Sequence, residues 1–245
     1  MHSKMTIATS VRVFRQLQHD PRTIGLLFVV PCVLLGLLAW IYNDSPGIFD
    51  RVGPALLGVF PFVVMFLVTS ISTLRERSSG TLERLLTLPI AKLDILGGYA
   101  LTFGVLAVAQ AIIVSFVAVH IYGLQVAGPE PLLVVVALAD ALLGTMLGLF
   151  VSAFARTEFQ AVQFLPAFIL PQFLLCGLLV PVDQLPTVLH YVAECLPLTY
   201  AVDAMQRIAV DATTSGFVYR DIGVVLGFAT VAVLLGAVTL RRQTS

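Results

Sequence analysis

The sequence predicts an all-α integral membrane protein with six transmembrane helices and both termini on the cytoplasmic side. Three observations predict it. Of 245 residues, 58% are hydrophobic and only 11% are charged, less than half the charged share of about 25% in an ordinary soluble domain. The apolar residues gather into runs, and a helix needs about 20 apolar residues to cross roughly 30 Å of hydrocarbon. Most of the basic residues fall in the segments that one topology puts on a single side.

Residues 1–22 precede the spans. Ile7, Val11, Phe14 and Leu17 recur at helical spacing while Lys4, Arg12 and Arg15 fall largely elsewhere. That pattern suits an amphipathic helix lying in the cytoplasmic interface; the alternative is a basic tail that only sets topology. Span one covers 24–42. It is longer than a signal-peptide core, no small-x-small site follows it, and Pro31 before Cys32 suits a lipoprotein site poorly, so it is expected to stay in the mature protein. Spans two, three and four cover 52–74, 95–122 and 132–154. Span five, 161–180, is interrupted by Pro166 and Pro171 and is kept as a kinked helix. A re-entrant segment is its alternative and would move the C-terminus to the other side. Span six covers 222–240. The two longer connections, 75–94 and 181–221, are too short for a separate soluble domain, so residues 1–245 form one transmembrane domain.

Charge orients these spans. With the N-terminus inside, the cytoplasmic segments hold Lys4, Arg12, Arg15, Arg22, Arg75, Arg77, Arg84, Lys92, Arg156, Arg241 and Arg242, eleven of the 14 basic residues. Arg51, Arg207 and Arg220 are left outside. The positive-inside rule selects this arrangement, which requires an even number of spans.

Several chemistries are excluded. A phosphate-binding P-loop needs a lysine followed by Ser or Thr, but Lys4 precedes Met5 and Lys92 precedes Leu93. The chain is therefore expected to be no ATPase, and any ATP is hydrolysed by a partner. There is no HExxH motif, and His190 with Glu194 reads as a structural pair, so no metal site is expected. Cys32, Cys176 and Cys195 have no ligand spacing; they read as packed thiols, with a Cys195 link to another chain left open.

The segment after span two reads Leu74-Arg75-Glu76-Arg77-Ser78-Ser79-Gly80-Thr81-Leu82-Glu83-Arg84-Leu85-Leu86-Thr87-Leu88-Pro89-Ile90. Gly80 and Pro89 bracket a short helix in which Leu82, Leu85 and Leu86 share a face. Such a helix docks in a groove of a cytosolic partner or rests its leucines on lipid headgroups. A second pattern follows span five: Gly177-Leu178-Leu179-Val180-Pro181, then Leu185-Pro186, then Leu196-Pro197-Leu198-Thr199-Tyr200.

With these two segments in their topological places, the chain resembles the ATP-binding-cassette type-2 transporter permeases, in particular the daunorubicin-resistance-like drug-export branch. The resemblance covers nearly the whole chain. It implies two permease chains, identical or sister copies, and two cytosolic ATP-binding-cassette ATPase subunits that carry ATP and magnesium. It implies that the stretch matching Arg75–Pro89 couples to the ATPase, with Arg75, Glu76, Arg77, Gly80, Thr81, Leu82, Glu83, Leu85, Leu86 and Pro89 as the contact set, helped by the N-terminal helix. It also implies short re-entrant helices between spans five and six, and a bacterial plasma membrane.

Asp140 stands near the middle of span four, where a charge costs about 2.5–3.5 kcal/mol on the insertion scale. Asp140, Gly144, Gly148 and Ser152 repeat every four residues and share one face, and Gly144 with Gly148 permits close helix packing. Asp140 is expected to face protein, either as a pathway or proton-sensitive residue or as a structural carboxyl bonded to a neighbouring helix. Gln110, Gln163 and Gln172 either line the pathway with it or join helices. Phe60, Phe62, Phe66, Phe164, Phe168 and Phe173 offer aromatic surface, most of it expected to face lipid. The function expected is a permease subunit of an ATP-driven exporter of a hydrophobic or amphipathic compound, with no nucleic-acid partner. The alternative is a proton-coupled secondary transporter using Asp140.

Overall fold

The computed structural model describes residues 3–78, 92–155, 157–213 and 215–239, and no strand occurs among them. The helices are α1 (Ser3–Gln18), α2 (Pro21–Ile41), α3 (Pro46–Ser78), α4 (Lys92–Phe116), α5 (Glu130–Ser152), α6 (Glu158–Leu175), α7 (Thr187–Glu194), α8 (Pro197–Val210) and α9 (Gly216–Thr239). A π-helical turn, Val117–Ile121, prolongs α4, and a 3₁₀ turn, Val182–Gln184, precedes α7.

Local chemistry sets several of these boundaries. The Asp20 side chain accepts from the N–H groups of Arg22 and Thr23, and Pro21 opens α2, where a missing N–H is harmless. Thr157 caps α6 in the same way through the Gln160 N–H. Gly177, with φ +90°, turns the chain after α6 in a conformation that a side chain would strain.

Among the described residues five helices are long and apolar enough to cross a membrane: α2, α3, α4 with its π turn, α5 and α9. The expected fifth span is α6, which holds Glu158, Gln160, Gln163, Pro166, Pro171 and Gln172 in 18 residues. These polar residues and prolines keep it out of the strongly apolar set. Its contacts nevertheless carry it between the same two levels as the others. Its first residue, Glu158, binds Arg75 at the end of α3, and Gly177, just beyond it, accepts from Gln206 on α8.

These contacts define two rims. One, rich in arginine, gathers α1, the start of α2, the end of α3 and the start of α6. The other, rich in aspartate, holds the start of α3, α7, α8 and the start of α9; there Asp50 accepts from the Gln125 N–H and Gly128 N–H donates to Ile208. The core lies between the rims and centres on α3 and α5, the most extensive helix pair.

Four features differ from the sequence reading or refine it. The connections 75–94 and 181–221 are shorter than expected, because α3 continues unbroken through Ser78 and α9 begins at Gly216. The face of α1 that packs inward is Thr6, Thr9, Val13 and Leu17, whereas Ile7 and Val11 stay exposed. A Cβ at Gly98 would fall 2.6 Å from the Thr9 Cβ, so the glycines of α4 make room for the hydroxyl face. Phe62 and Phe66 are buried in the core, and Cys195 is exposed, unlike the half-buried Cys32 and the buried Cys176.

Candidate functional site

Arg75, Glu76 and Arg77 close α3, about 100° apart on the helix, so three consecutive side chains reach three different neighbours. Glu76 turns inward and is 4% exposed. Its Oε2 accepts from Arg12 Nη2 of α1 at 2.7 Å and from the Tyr99 hydroxyl of α4. Arg12 also reaches the Tyr99 oxygen at 3.3 Å. Arg75 donates through Nε and Nη2 to both oxygens of Glu158, at 2.7 and 3.0 Å, and lies 3.5 Å from Asp20. Arg77 donates to the carbonyl of Ser152 at the end of α5. The last turn of α3 is thus tied to α1, α2, α4, α5 and α6 at once.

Asp20 completes the rim. The Thr23 hydroxyl, donating at 2.7 Å, holds its carboxyl below the usual carboxylate range; burial opposes it, and the α2 N–H groups and Arg75 add support. The remaining coupling residues singled out in the sequence, Gly80, Thr81, Leu82, Glu83, Leu85, Leu86 and Pro89, lie outside the described residues.

Inside the core, Asp140 is fully buried, and neither of its oxygens has a hydrogen-bond partner among the described residues. The bond to a neighbouring helix that one of the two sequence readings invoked is therefore not formed among the described residues. Gly58 of α3 and Met205 of α8 close over it: a Cβ at Gly58 would stand 3.2 Å from Oδ2 and 3.6 Å from the Met205 methyl. Gly144 meets the backbone carbonyl of Phe62 directly, and a Cβ at Gly148 would lie 2.6 Å from the Phe66 carbonyl. The α3 and α5 backbones therefore touch without side chains between them.

Among the described residues none of the glutamines hydrogen-bonds to Asp140. Gln110 is buried and donates to the Leu27 carbonyl at 2.6 Å, joining α4 to α2. Gln172 donates to Phe168 within α6 and accepts from the Leu198 N–H of α8 at 3.4 Å. Gln163 is exposed on α6. None of the four lines the cavities at either rim. At the aspartate rim, His190 Nδ1 lies 2.9 Å from the Val182 carbonyl oxygen, and Nε2 lies 3.4 Å from Glu194.

Arg12, Asp20, Tyr99 and Glu158 were not singled out in the sequence as parts of this arrangement. Their visible signal is position: Asp20 and Glu158 stand just before apolar runs, Tyr99 lies in the first turns of another, and Arg12 lies in the N-terminal helix.

Comparison with known proteins adds a second line of evidence. The model of the ABC-2 type transporter family matches residues 6–210. The chain is 26% identical over 182 residues to "ABC transporter G family member 20" of Dictyostelium discoideum, covering 74% of this chain and 25% of that protein. It is 28% identical over 181 residues to "Probable multidrug ABC transporter permease YbhR" of Escherichia coli strain K12, covering 74% and 49%. It is 27% identical over 181 residues to "Linearmycin resistance permease protein LnrN" of Bacillus subtilis strain 168, covering 74% and 47%. The matched region thus spans between a quarter and about half the length of these relatives.

Proposed function

We propose, from the premise that this chain belongs to the ABC-2 type transporter family, that it is the membrane-spanning permease subunit of an ATP-driven exporter. It moves a hydrophobic or amphipathic compound, drug-like or lipid-like, out of the cytoplasm or the inner leaflet. Two cytosolic ATP-binding-cassette ATPase subunits supply ATP and magnesium, and a second permease, identical or sister, completes the pathway. The arginine rim is cytoplasmic, as are both termini, in the plasma membrane of a bacterium. The names of the relatives, a multidrug permease and a linearmycin resistance permease, support the export direction.

One structural observation carries the coupling role. The last turn of α3 leads into residues 79–91, and Arg75, Glu76 and Arg77 bind five other helices there. A force applied to that segment by an ATPase therefore reaches most of the bundle rather than one helix. ATP binding closes the ATPase pair, the segment carries the motion, and the bundle changes the side on which the pathway is open.

The test is co-purification with an ATP-binding-cassette ATPase, taken from the genes adjacent to this chain's own if they encode one. The wild type is expected to form a stable complex that Glu83→Ala weakens and Leu85→Asp/Leu86→Asp abolishes, with membrane insertion retained. A chain that binds no ATPase, with both variants silent, sinks the coupling claim. The second reading, proton-coupled transport through Asp140, is favoured by one observation, the unpartnered buried carboxyl. It predicts flux by the isolated chain in liposomes under a pH gradient, lost in Asp140→Asn.

A further inference from the structure

At the aspartate rim two cavities adjoin, of about 870 and 580 Å³, sharing Gly177, Pro181, Asp203, Gln206 and Arg207 in their walls. All three arginines of this rim line them: Arg51 the larger, Arg220 the smaller, Arg207 both. We propose that they form one site for the head group of a zwitterionic amphiphile, carrying a phosphate and an ammonium as phosphoethanolamine does.

The cationic side is built rather than incidental. Arg207 donates Nε to Asp203 at 2.9 Å, and Arg220 donates Nε and Nη2 to the fully buried Asp221 at 3.0 and 2.8 Å. Both guanidinium groups stand 5.2 Å from the centre of the Phe217 ring. Carboxylates and ring fix the pair and leave donors uncommitted: both terminal nitrogens of Arg207 and Nη1 of Arg220 have no hydrogen-bond partner among the described residues. Arg51 has no ion-pair partner among them. Spare guanidinium donors on arginines that line the two adjoining cavities match the oxygens of a phosphate.

The anionic side comes from other segments. Asp183, on the 3₁₀ turn, lines the smaller cavity, and Asp211, after α8, lines the larger. Neither takes part in an ion pair among the described residues. A ligand with phosphate alone would leave these carboxylates facing it, and one with ammonium alone would face Arg51. A head group with both charges satisfies both sides, and such complementarity is how charged sites reject wrong partners. Ile48 and Leu179 belong to the larger cavity's wall and are exposed, which gives the attached chains an apolar way out towards lipid.

The proposal goes beyond the export reading and does not require it, because the same head group arrives on a transported amphiphile or on a resident bilayer lipid. The full chain in detergent is offered phosphatidylethanolamine, phosphatidylglycerol and cationic ethylphosphatidylcholine of equal acyl chains, and retained lipid is counted by native mass spectrometry. Phosphatidylethanolamine is expected to be retained about tenfold more strongly than either competitor, the ratio that one charge-assisted contact supplies. Asp183→Asn/Asp211→Asn, which removes no internal ion pair, is expected to erase its advantage over phosphatidylglycerol while leaving phosphatidylglycerol bound. Arg207→Gln is expected to weaken both, and Arg51→Gln does the same without losing an internal ion pair.

Equal retention of the three lipids by the wild type overturns the proposal, as does a preference unchanged in the double aspartate variant. In the complex with the ATPase, stimulation of ATP hydrolysis by phosphatidylethanolamine that follows the same variants identifies cargo. Retention without stimulation identifies a resident lipid. Export with no head-group preference overturns this site and leaves the export reading standing; selective retention with no ATP-coupled export does the reverse.

Discussion

Glu76 sits between a cation from α1 and a phenol from α4, almost out of contact with water. Removing one partner of such a pair leaves the other charge buried and uncompensated, which is unfavourable by about 3–5 kcal/mol when both are deeply buried. Arg12 is 35% exposed, so Arg12→Ala is expected to destabilise by about 2 kcal/mol, read as a lower melting temperature in detergent. Adding Glu76→Gln to that variant should recover part of the loss, and a further drop would mean that the pair is not what stabilises the rim. Asp140 is the opposite case, a carboxyl with no bond to lose. Asp140→Asn is expected to keep the melting temperature at or above wild type and to keep ATP-driven export; loss of export alone would move Asp140 into the mechanism. The burial of Asp140 was legible because glycines and a serine recur every four residues on its face. The Arg12–Glu76 pair was not, because its partners are 64 residues apart and no local pattern connects them.

At the scale of elements, the α3–α5 contact depends on two missing side chains. Gly144→Ala puts a methyl group against the Phe62 carbonyl, and neither backbone can yield without parting the helices. Overpacking of this kind costs about 1–3 kcal/mol; Gly223→Ala, where a Cβ would meet nothing within 4 Å, is the matched control expected to melt like wild type. The cap of α2 gives a pH signature. Because the folded Asp20 carboxyl titrates below its usual range, its contribution is complete above the unfolded value of about 3.9 and is lost as pH falls through the lower folded value. Melting temperature followed from about pH 5 to pH 3 should therefore fall less steeply in Asp20→Asn than in wild type. The α1 helix was legible from its spacing, but its docking face was not. Hydropathy ranks Ile7 and Val11 above Thr6 and Thr9, whereas what decides the contact is that Gly97 and Gly98 accept only small side chains closely.

At the scale of the molecule, apolar run length foretold the long apolar helices, since lipid imposes that length on any chain that crosses it. The weakly apolar α6 and the cavities of the aspartate rim were less visible, because prolines, glutamines and isolated arginines acquire meaning only once distant helices are packed. Orientation has a direct test. Cys195 is exposed near the aspartate rim, while Cys32 is half-buried and Cys176 buried. A membrane-impermeant maleimide added to intact cells is expected to label wild type and not Cys195→Ser; labelling that requires permeabilised cells would invert the topology.

The bare backbone contact between α3 and α5 also has a mechanical meaning. Helices separated by side chains can slide as those side chains change rotamer, but two that meet carbonyl to glycine have no such lubricant. They turn as a single beam. With 33 residues, α3 is about 50 Å long, so a tilt of a few degrees imposed at its arginine end displaces the far end by several ångströms.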